Sequence, residues 1–397
     1  MKRVFIAEAL RTPTGKLLGA FASLTAPALG AAVIKAILKK AVPEPSFVGE
    51  VIMGNVLSAG VGQNPARQAA LGAGLPDTIN AFTVNKVCAS GMKAVSLGAE
   101  AILASQAEVV IAGGMESMSN APYLLRDLRR GKKYGDSGLT DSMIFDGLMD
   151  CYYGEHMGAL CEATVAKYNI SRSEQDAFAL ESHRKAAMAA ARGLFSEELV
   201  PVEAAGRIVT EDESIRKDAS IAALSRLKPV FKEGGTITAG NSPGLNDGAA
   251  ALLLASEEGL KRLGKKPLAE IIGFASSHTD PKWFTTAPTG SVKKLLAAIG
   301  LKMESFDLIE ENEAFAAQTL AVIRELSLDL SRVNVHGGAV ALGHPIGASG
   351  ARILTTLVHG LRHRKKELGL ATICLGGGGA MSMAVRAMKE DSWNSAS

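Results

Sequence analysis

The 397-residue chain is short of cysteine, of uncompensated charge and of long apolar runs, and each shortage closes off a class of protein. Its four cysteines, Cys88, Cys151, Cys161 and Cys374, form no CxxC pair, which leaves no basis for a disulfide framework or a zinc site. Lys and Arg number 43 against 40 Asp and Glu, a net charge of +3. The one basic run, Arg126 to Lys133, reads as a solvated loop or a local anion site. No aromatic-interleaved basic stripe accompanies it, so nucleic acid is not an expected partner. The longest apolar run, Ala249 to Ala255, is far too short for a bilayer, and no membrane association is expected. Met1-Lys2-Arg3 leads straight into the strand-like Val4-Phe5-Ile6-Ala7, so the expectation is no leader peptide and a cytoplasmic location. The glycine-rich Gly376 to Gly379 is not a nucleotide loop, since neither an N-terminal GxGxxG nor a P-loop lysine goes with it.

What is present is an ordinary apolar content of 47% and 42 glycines gathered in short runs, as in an α/β enzyme with many close backbone approaches. The length allows two or three units with their own cores. Strands are expected at residues 4–8, 50–53 and 108–112, the last ending at Gly113-Gly114. Helices are expected over 26–41 and 66–73. From Ser117 to about Gly244 the texture turns to loop and helix, with a capping-box pattern at Ser171 to Glu174 opening a long helix. Alternating α and β resumes at Gly248. A repeat is visible: Cys88-Ala-Ser-Gly, a helix, then Val109 to Gly114 matches Gly347-Ala-Ser-Gly, a helix, then Ala371 to Gly377. It points to a duplicated α/β half.

Three positions carry chemistry. Cys88 sits where the β-leaning Ala81 to Val84 gives way to a helix, and unpaired N–H groups at a helix start favour a thiolate. As a lone cysteine it reads equally as a small buried hydrophobe. His344, between glycines and before Pro345, has little neighbouring bulk and reads as a presented imidazole. Cys374 ends an apolar strand just before Gly376. In Glu310 to Gln318 acidic and amide side chains open a helix, with Asn312 either its cap or the holder of a water or oxyanion. A nucleophile, its base and a second acid/base are what carbon–carbon chemistry beside a thioester requires.

The motifs that run through the chain resemble the thiolase family from about residue 3 to 388. They are Arg11-Thr-Pro, Gly62-Gln-Asn-Pro-Ala-Arg67, Asn85 to Gly91, Ala112 to Tyr123, Thr238-Ala-Gly-Asn241, Asn312-Glu-Ala-Phe315, Gly343-His-Pro-Ile-Gly347 and Cys374 to Gly378. The resemblance implies an α/β, thiolase-like fold: two duplicated α/β halves in layered α-β-α-β-α packing with an inserted loop domain. It places an N-terminal half at 1–118 (completed by about 246–270), a loop domain covering coenzyme A at 119–245, a C-terminal half at 271–388 and a polar tail at 389–397. It implies that Cys88 takes up the acyl group and that His344 activates it. With a water on Asn312, His344 would also form one oxyanion hole. Cys374 would work on the α-carbon, and the N–H groups of Cys88 and Gly376 would form the second hole. No metal and no cofactor are implied; acetyl-CoA, acetoacetyl-CoA and CoA are the substrates.

Tyr152 to Gly158 resembles the biosynthetic branch of the family, and the loop Tyr123 to Asp146 resembles the segment by which that branch builds homotetramers as dimers of dimers. Leu148, His156, Met157, Arg216, Phe231, Ala239, Phe284 and Phe315 fall where the family lines its coenzyme A and acyl pocket. Pro243 replaces a serine that often binds pantetheine, Phe284 replaces a methionine, and Cys161-Glu-Ala-Thr164 and Gly379-Ala380 also depart. The implied activity is condensation of two acetyl-CoA to acetoacetyl-CoA. The alternatives are a degradative 3-ketoacyl-CoA thiolase of broader chain length and a silent acyl-CoA-binding protein. A regulatory Cys88–Cys374 disulfide is a further alternative.

Overall fold

The computed structural model describes residues 2–389; Met1 and residues 390–397, hence nearly all of the expected tail, lie outside the described residues. The chain opens with the wholly buried strand β1 (Phe5–Arg11). The 16-residue helix α1 (Ala26–Ala41) follows. Thr25 caps it by accepting from the Ala28 N–H, and Pro27 stands in its first turn. Leu29, Val33, Ile34 and Ile37 make its buried stripe. Then come β2 (Glu50–Gly54), α2 (Pro65–Gly72), β3 (Asn80–Val84), α3 (Ser90–Leu103) and β4 (Val109–Ser117). After an insertion, β5 (Asn246–Ala255) and α6 (Glu257–Leu263) complete this half. The ten residues of β5 are all buried, as befits a strand covered on both faces.

The insertion holds α4 (Met157–Tyr168) and α5 (Arg172–Ala191), the latter opened by the capping box of Ser171 and Glu174. The second half repeats the first: β6 (Ala269–His278), α7 (Ala287–Ile299), β7 (Leu308–Glu311), α8 (Ala316–Leu326), α9 (Ser349–His363), β8 (Leu368–Leu375) and β9 (Gly379–Ala387). Strand order is β1-β5-β4-β2-β3 in one half and β6-β9-β8-β7 in the other, the latter extended by a bridge from Ile309 to Val333. The duplication is therefore complete in order and pairing. Among the described residues the halves pair edge to edge at Phe5↔Glu270 and Ile6↔Ala269, so the two sheets form one continuous surface. Three of its apolar cores are layer interfaces: α1 and α2 on one sheet, α3 and α9 between the sheets, α7 on the other.

Two expectations are corrected. β4 does not stop at Gly113 but runs on to Ser117. Gly113 and Gly114 belong inside it because a side chain at either would strike the backbone of Ala250 or Gly347. The acidic stretch at Glu310 is the end of strand β7, not the start of a helix, and α8 begins only at Ala316. Among the described residues no helix is long and apolar enough to cross a membrane.

Candidate active site

Both halves send the start of their central helix to the same place. Cys88 lies in the turn between β3 and α3, and its neighbour Val87 takes φ +47°, a strained value for a β-branched residue. Three side-chain hydrogen bonds hold that turn: Val87 N–H donates to Asn85 Oδ1 (2.9 Å), Lys86 N–H to Ser90 Oγ (2.8 Å), and Ser90 Oγ to the Val87 carbonyl (2.6 Å). His344 precedes α9. Its N–H donates to Asn246 Oδ1 (2.9 Å) and its Nδ1 lies 2.5 Å from Ser349 Oγ. Since Ser349 Oγ donates to the Pro345 carbonyl (2.9 Å), it accepts from Nδ1–H, which leaves Nε2 with a free lone pair. Cys374 is the penultimate residue of β8, and Gly377 and Gly378 beyond it both take φ +78° to turn the chain back into β9.

Cys88, His344, Cys374 and Gly376 line one cavity of about 420 Å³. The same cavity is lined by Leu148, His156, Met157, Arg216, Phe231, Ala239, Phe284 and Phe315, so twelve of the thirteen residues singled out in the sequence share it. Asn312 is the exception: it is wholly buried at the end of β7, and both polar atoms of its side chain lack a partner. It is not a helix cap, because Phe315 occupies the cap position of α8 and no side chain caps it. His156 stacks on Phe231 at 4.6 Å, and Phe231 meets Phe315 edge-on at 5.9 Å, forming an aromatic wall. Phe284, 2% exposed, and Phe315 pack in one cluster with Cys374 and Cys161. Gly376 sits beneath Met157, whose Sδ is 3.8 Å from where a Cβ would stand.

The electrostatics run against one expectation. Burial pushes the Cys88 thiol up to about 12, and the backbone N–H groups of Gly376 and of Cys88 itself, which reach its sulfur, offset only part of this. The helix start does not hold a ready thiolate; the resting group is a thiol that needs a base. Burial, with the cation of Arg352 adding, drives His344 down to about 3, so its imidazole is neutral. Burial also holds the Cys374 thiol well above its usual value, with Cys88, Glu311 and Cys161 adding. All four cysteines are free.

Several supports are invisible in any local motif. Glu116, on β4, accepts from the N–H groups of Val56 (3.1 Å), Leu57 (3.2 Å) and Gly347 (2.9 Å) and from Asn55 Nδ2 (2.8 Å), and so ties two loops to the strand. Asn246 and Ser349 orient His344 from two different elements. Ser349 left a trace, as the serine shared by the two repeated Ala-Ser-Gly motifs, and Glu116 lies inside the Ala112 to Tyr123 motif, which gives no sign of what it holds.

Residues 4–258 match the family model described as "Thiolase, N-terminal domain" and residues 265–387 the one described as "Thiolase, C-terminal domain". A probable acetyl-CoA acyltransferase of Staphylococcus aureus (strain NCTC 8325 / PS 47) is 49% identical over 394 residues, covering 98% of this chain and the whole of that protein. The protein of the same name from strain MSSA476 matches to the same extent. The crystal structure of the Bacillus anthracis acetyl-CoA acetyltransferase superposes with a TM-score of 0.95 at 40% identity, over 98% of this chain and 99% of that one.

Proposed function

The chain belongs to the thiolase family and is an acyltransferase, and from that premise we propose that it condenses two acetyl-CoA molecules to acetoacetyl-CoA and CoA, and reverses the reaction by thiolysis. The observation that carries this reading is the convergence of two thiols and an uncommitted imidazole nitrogen on one apolar cavity. Cys88 Sγ attacks the thioester carbonyl as its proton passes to His344 Nε2. The thioester C–S bond breaks, and the departing CoA sulfur takes its proton from Cys374. The Cys374 thiolate, a strong base because burial disfavours its charge, removes a proton from the methyl carbon of the second acetyl-CoA. That carbanion attacks the acetyl carbonyl on Cys88. The Cys88 sulfur leaves and recovers its proton from His344, and every group returns to its starting state. The N–H groups of Cys88 and Gly376 are aimed at the sulfur, in line with one oxyanion hole. The unpartnered amide of Asn312 is in line with the other.

The short acyl chain is read from the bulky Met157, Phe284 and Phe315, which line the cavity and pack in one cluster with Cys374. A degradative thiolase of broader chain length is the second reading, favoured by the acyltransferase name of the 49% identical relative. The ratio of kcat/KM for CoA-dependent cleavage of acetoacetyl-CoA and of 3-ketooctanoyl-CoA decides between them. A strong preference for four carbons supports the first, and equal or better use of eight carbons overturns it. Assembly as a homotetramer in the cytoplasm belongs to the same proposal, supported by the exposed Leu128, Tyr134 and Leu139 in the 123–146 loop.

A further inference from the structure

Helix α9 is buried from Ser349 to Leu361, yet one of its faces is polar. Ser349, Arg352, Thr356, His359 and His363 recur every three or four residues and so share that face. Ser349 grips the catalytic imidazole at one end, and His363 reaches Glu197 near the surface at the other, 3.6 Å away. Arg352 stands one turn from Ser349. Its side chain is 3% exposed, none of its three nitrogens has a hydrogen-bond partner, and its nearest carboxylate, Glu310 Oε2, is 3.8 Å away. A guanidinium keeps its proton in any protein environment, so this is a fixed buried cation that nothing grips closely. The buried arginine on β1 is the contrast: Arg11 is held by Glu198 at 2.6 Å and by Asp212 at 2.7 Å.

We propose that Arg352 is a positioning residue for the base: its ungripped charge, one turn behind Ser349 on the same helix face, adds to burial in disfavouring the imidazolium and so helps hold His344 in the form with Nδ1–H on Ser349 and Nε2 free. The groups that face Arg352 from other elements are Glu310 on β7, Glu313 just after it, Glu198 and Arg11. Burial pushes Glu310 up to about 8, so its carboxyl neutralises the guanidinium only in part near neutral pH. Glu313 is spent on Asn334, Ser182 and the Val340 N–H, and Glu198 on Arg11 and Thr356. On the other side of His344, Asn246 is neutral and Glu116 is enclosed by four donors. The uncompensated charge that the imidazole feels is therefore that of Arg352, which is its one charged neighbour of effect. The inference rests on the reading of His344 as base, but it is tested without relying on turnover.

The first measurement is NMR of histidine-labelled full-length protein between pH 4 and 8, with the His344 signal assigned by its loss in His344→Asn. In the wild type His344 stays neutral and protonated on Nδ1 down to pH 5; an imidazolium at pH 7 would overturn the proposal. In Arg352→Gln the protonated fraction of His344 at a given acidic pH rises about tenfold, and any acid limb of kcat/KM on acetoacetyl-CoA that reports His344 moves up by about one pH unit. Arg352→Lys, which restores the charge, restores both. If Gln and Lys variants lose activity alike with an unchanged His344 titration, Arg352 is only a packing residue. If His344 behaves as stated while no variant or wild type cleaves acetoacetyl-CoA, the proposed reaction fails and the electrostatic role stands.

Discussion

The two halves are built to one plan and put the same position to opposite uses. At the start of α3, Ser90 ties down the turn that carries Cys88; at the start of α9, Ser349 ties down the imidazole of His344. Three residues on, the first half has Lys93, part-exposed and bridged to Glu100 at 3.4 Å, where the second has the buried and ungripped Arg352. In the proposed reaction one half delivers the nucleophile and the other its base, at a crossing so close that Gly91 and Gly350 face the partner helix. A Cβ at Gly350 would stand 2.5 Å from the Met92 nitrogen, and one at Gly91 would stand 2.8 Å from the Ala351 nitrogen. A duplication thus becomes an active site by joining helix starts of different content, with no new element needed.

The division of labour is broken most severely at the nucleophile. Cys88→Ser is expected to lower kcat by a factor on the order of 10³ or more, since a hydroxyl is a far poorer acyl acceptor, while CoA binding by calorimetry stays close to wild type. Turnover near the wild-type rate would remove Cys88 from the reaction. His344→Ala and Cys374→Ala each remove a proton carrier and should cost about 10²- to 10⁴-fold in steady-state kcat. An equal loss in all three, with no further loss in the double variants, would mark them as one unit.

The helix crossing comes next. Gly350→Ala drives a methyl into the Met92 backbone at 2.5 Å, which cannot give way as a flexible side chain would. Overpacking of this kind costs about 1–3 kcal/mol, readable as a lower midpoint in chemical denaturation, and it should also reduce kcat by shifting both helix starts. Gly91→Ala, with its Cβ at 2.8 Å from the Ala351 nitrogen, should lie below it. A reversed ranking would show that one helix yields and the other does not.

The paired serines sharpen the comparison. Ser349→Ala frees the imidazole to choose its tautomer, and an effect of about 10- to 100-fold on kcat is expected, of the size seen when other orienting partners of histidine are removed. Ser90→Ala leaves the Lys86 N–H without its partner, while the Val87 carbonyl keeps the Ser90 N–H, and should appear mainly as lost stability, about 1–3 kcal/mol in the denaturation midpoint. Equal effects of the two on kcat would mean that the Cys88 turn is as finely positioned as the imidazole.

What could be read before folding follows the same line. Helix α1 was legible at both ends because its cap, proline and apolar stripe are all local. The convergence of Cys88, His344 and Cys374 rested on motifs whose meaning came from resemblance, not from spacing. Asn246 gave no signal because it acts on His344 across 98 residues, and Glu116, though inside the Ala112 to Tyr123 motif, reaches Gly347 across 231. Arg352 gave none because nothing local marks an arginine as buried and ungripped. Glu310 to Asn312 was misread because acidic and amide residues near a helix suggest its first turn, whereas here two glutamates finish a buried strand. Buried charge is what composition hides best.

The gentlest way to separate the halves is acid. All seven histidines lie outside residues 1–118. Burial lowers four of them: His156, then His183 and His336 down to about 4, and His344 to about 3. The unfolded chain protonates its histidines near 6.5, so between that value and 3–4 it binds more protons than the fold, and stability contributed by these groups falls as pH falls. Glu116, on the first half, works the other way. Its folded value of about 7 lies above the unfolded 4.5, so acidification between the two favours the fold. Glu310 and Glu311, raised to about 8, give the second half the same benefit, but it is complete by pH 4.5. Below that the histidine losses are joined by those of carboxylates held low in the fold, Glu174, Glu181 and Asp329 on the insertion and the second half and Glu108 beside β4, so most of the loss falls on the insertion and the second half. Hydrogen exchange at pH 4 should therefore show α5 and the segment around His336 and His344 losing protection before β1, β4 and β5, with no such gap at pH 7. A first half that opens earlier or in step would mean that the shared α3–α9 layer, not the titration of its neighbours, sets the order of unfolding.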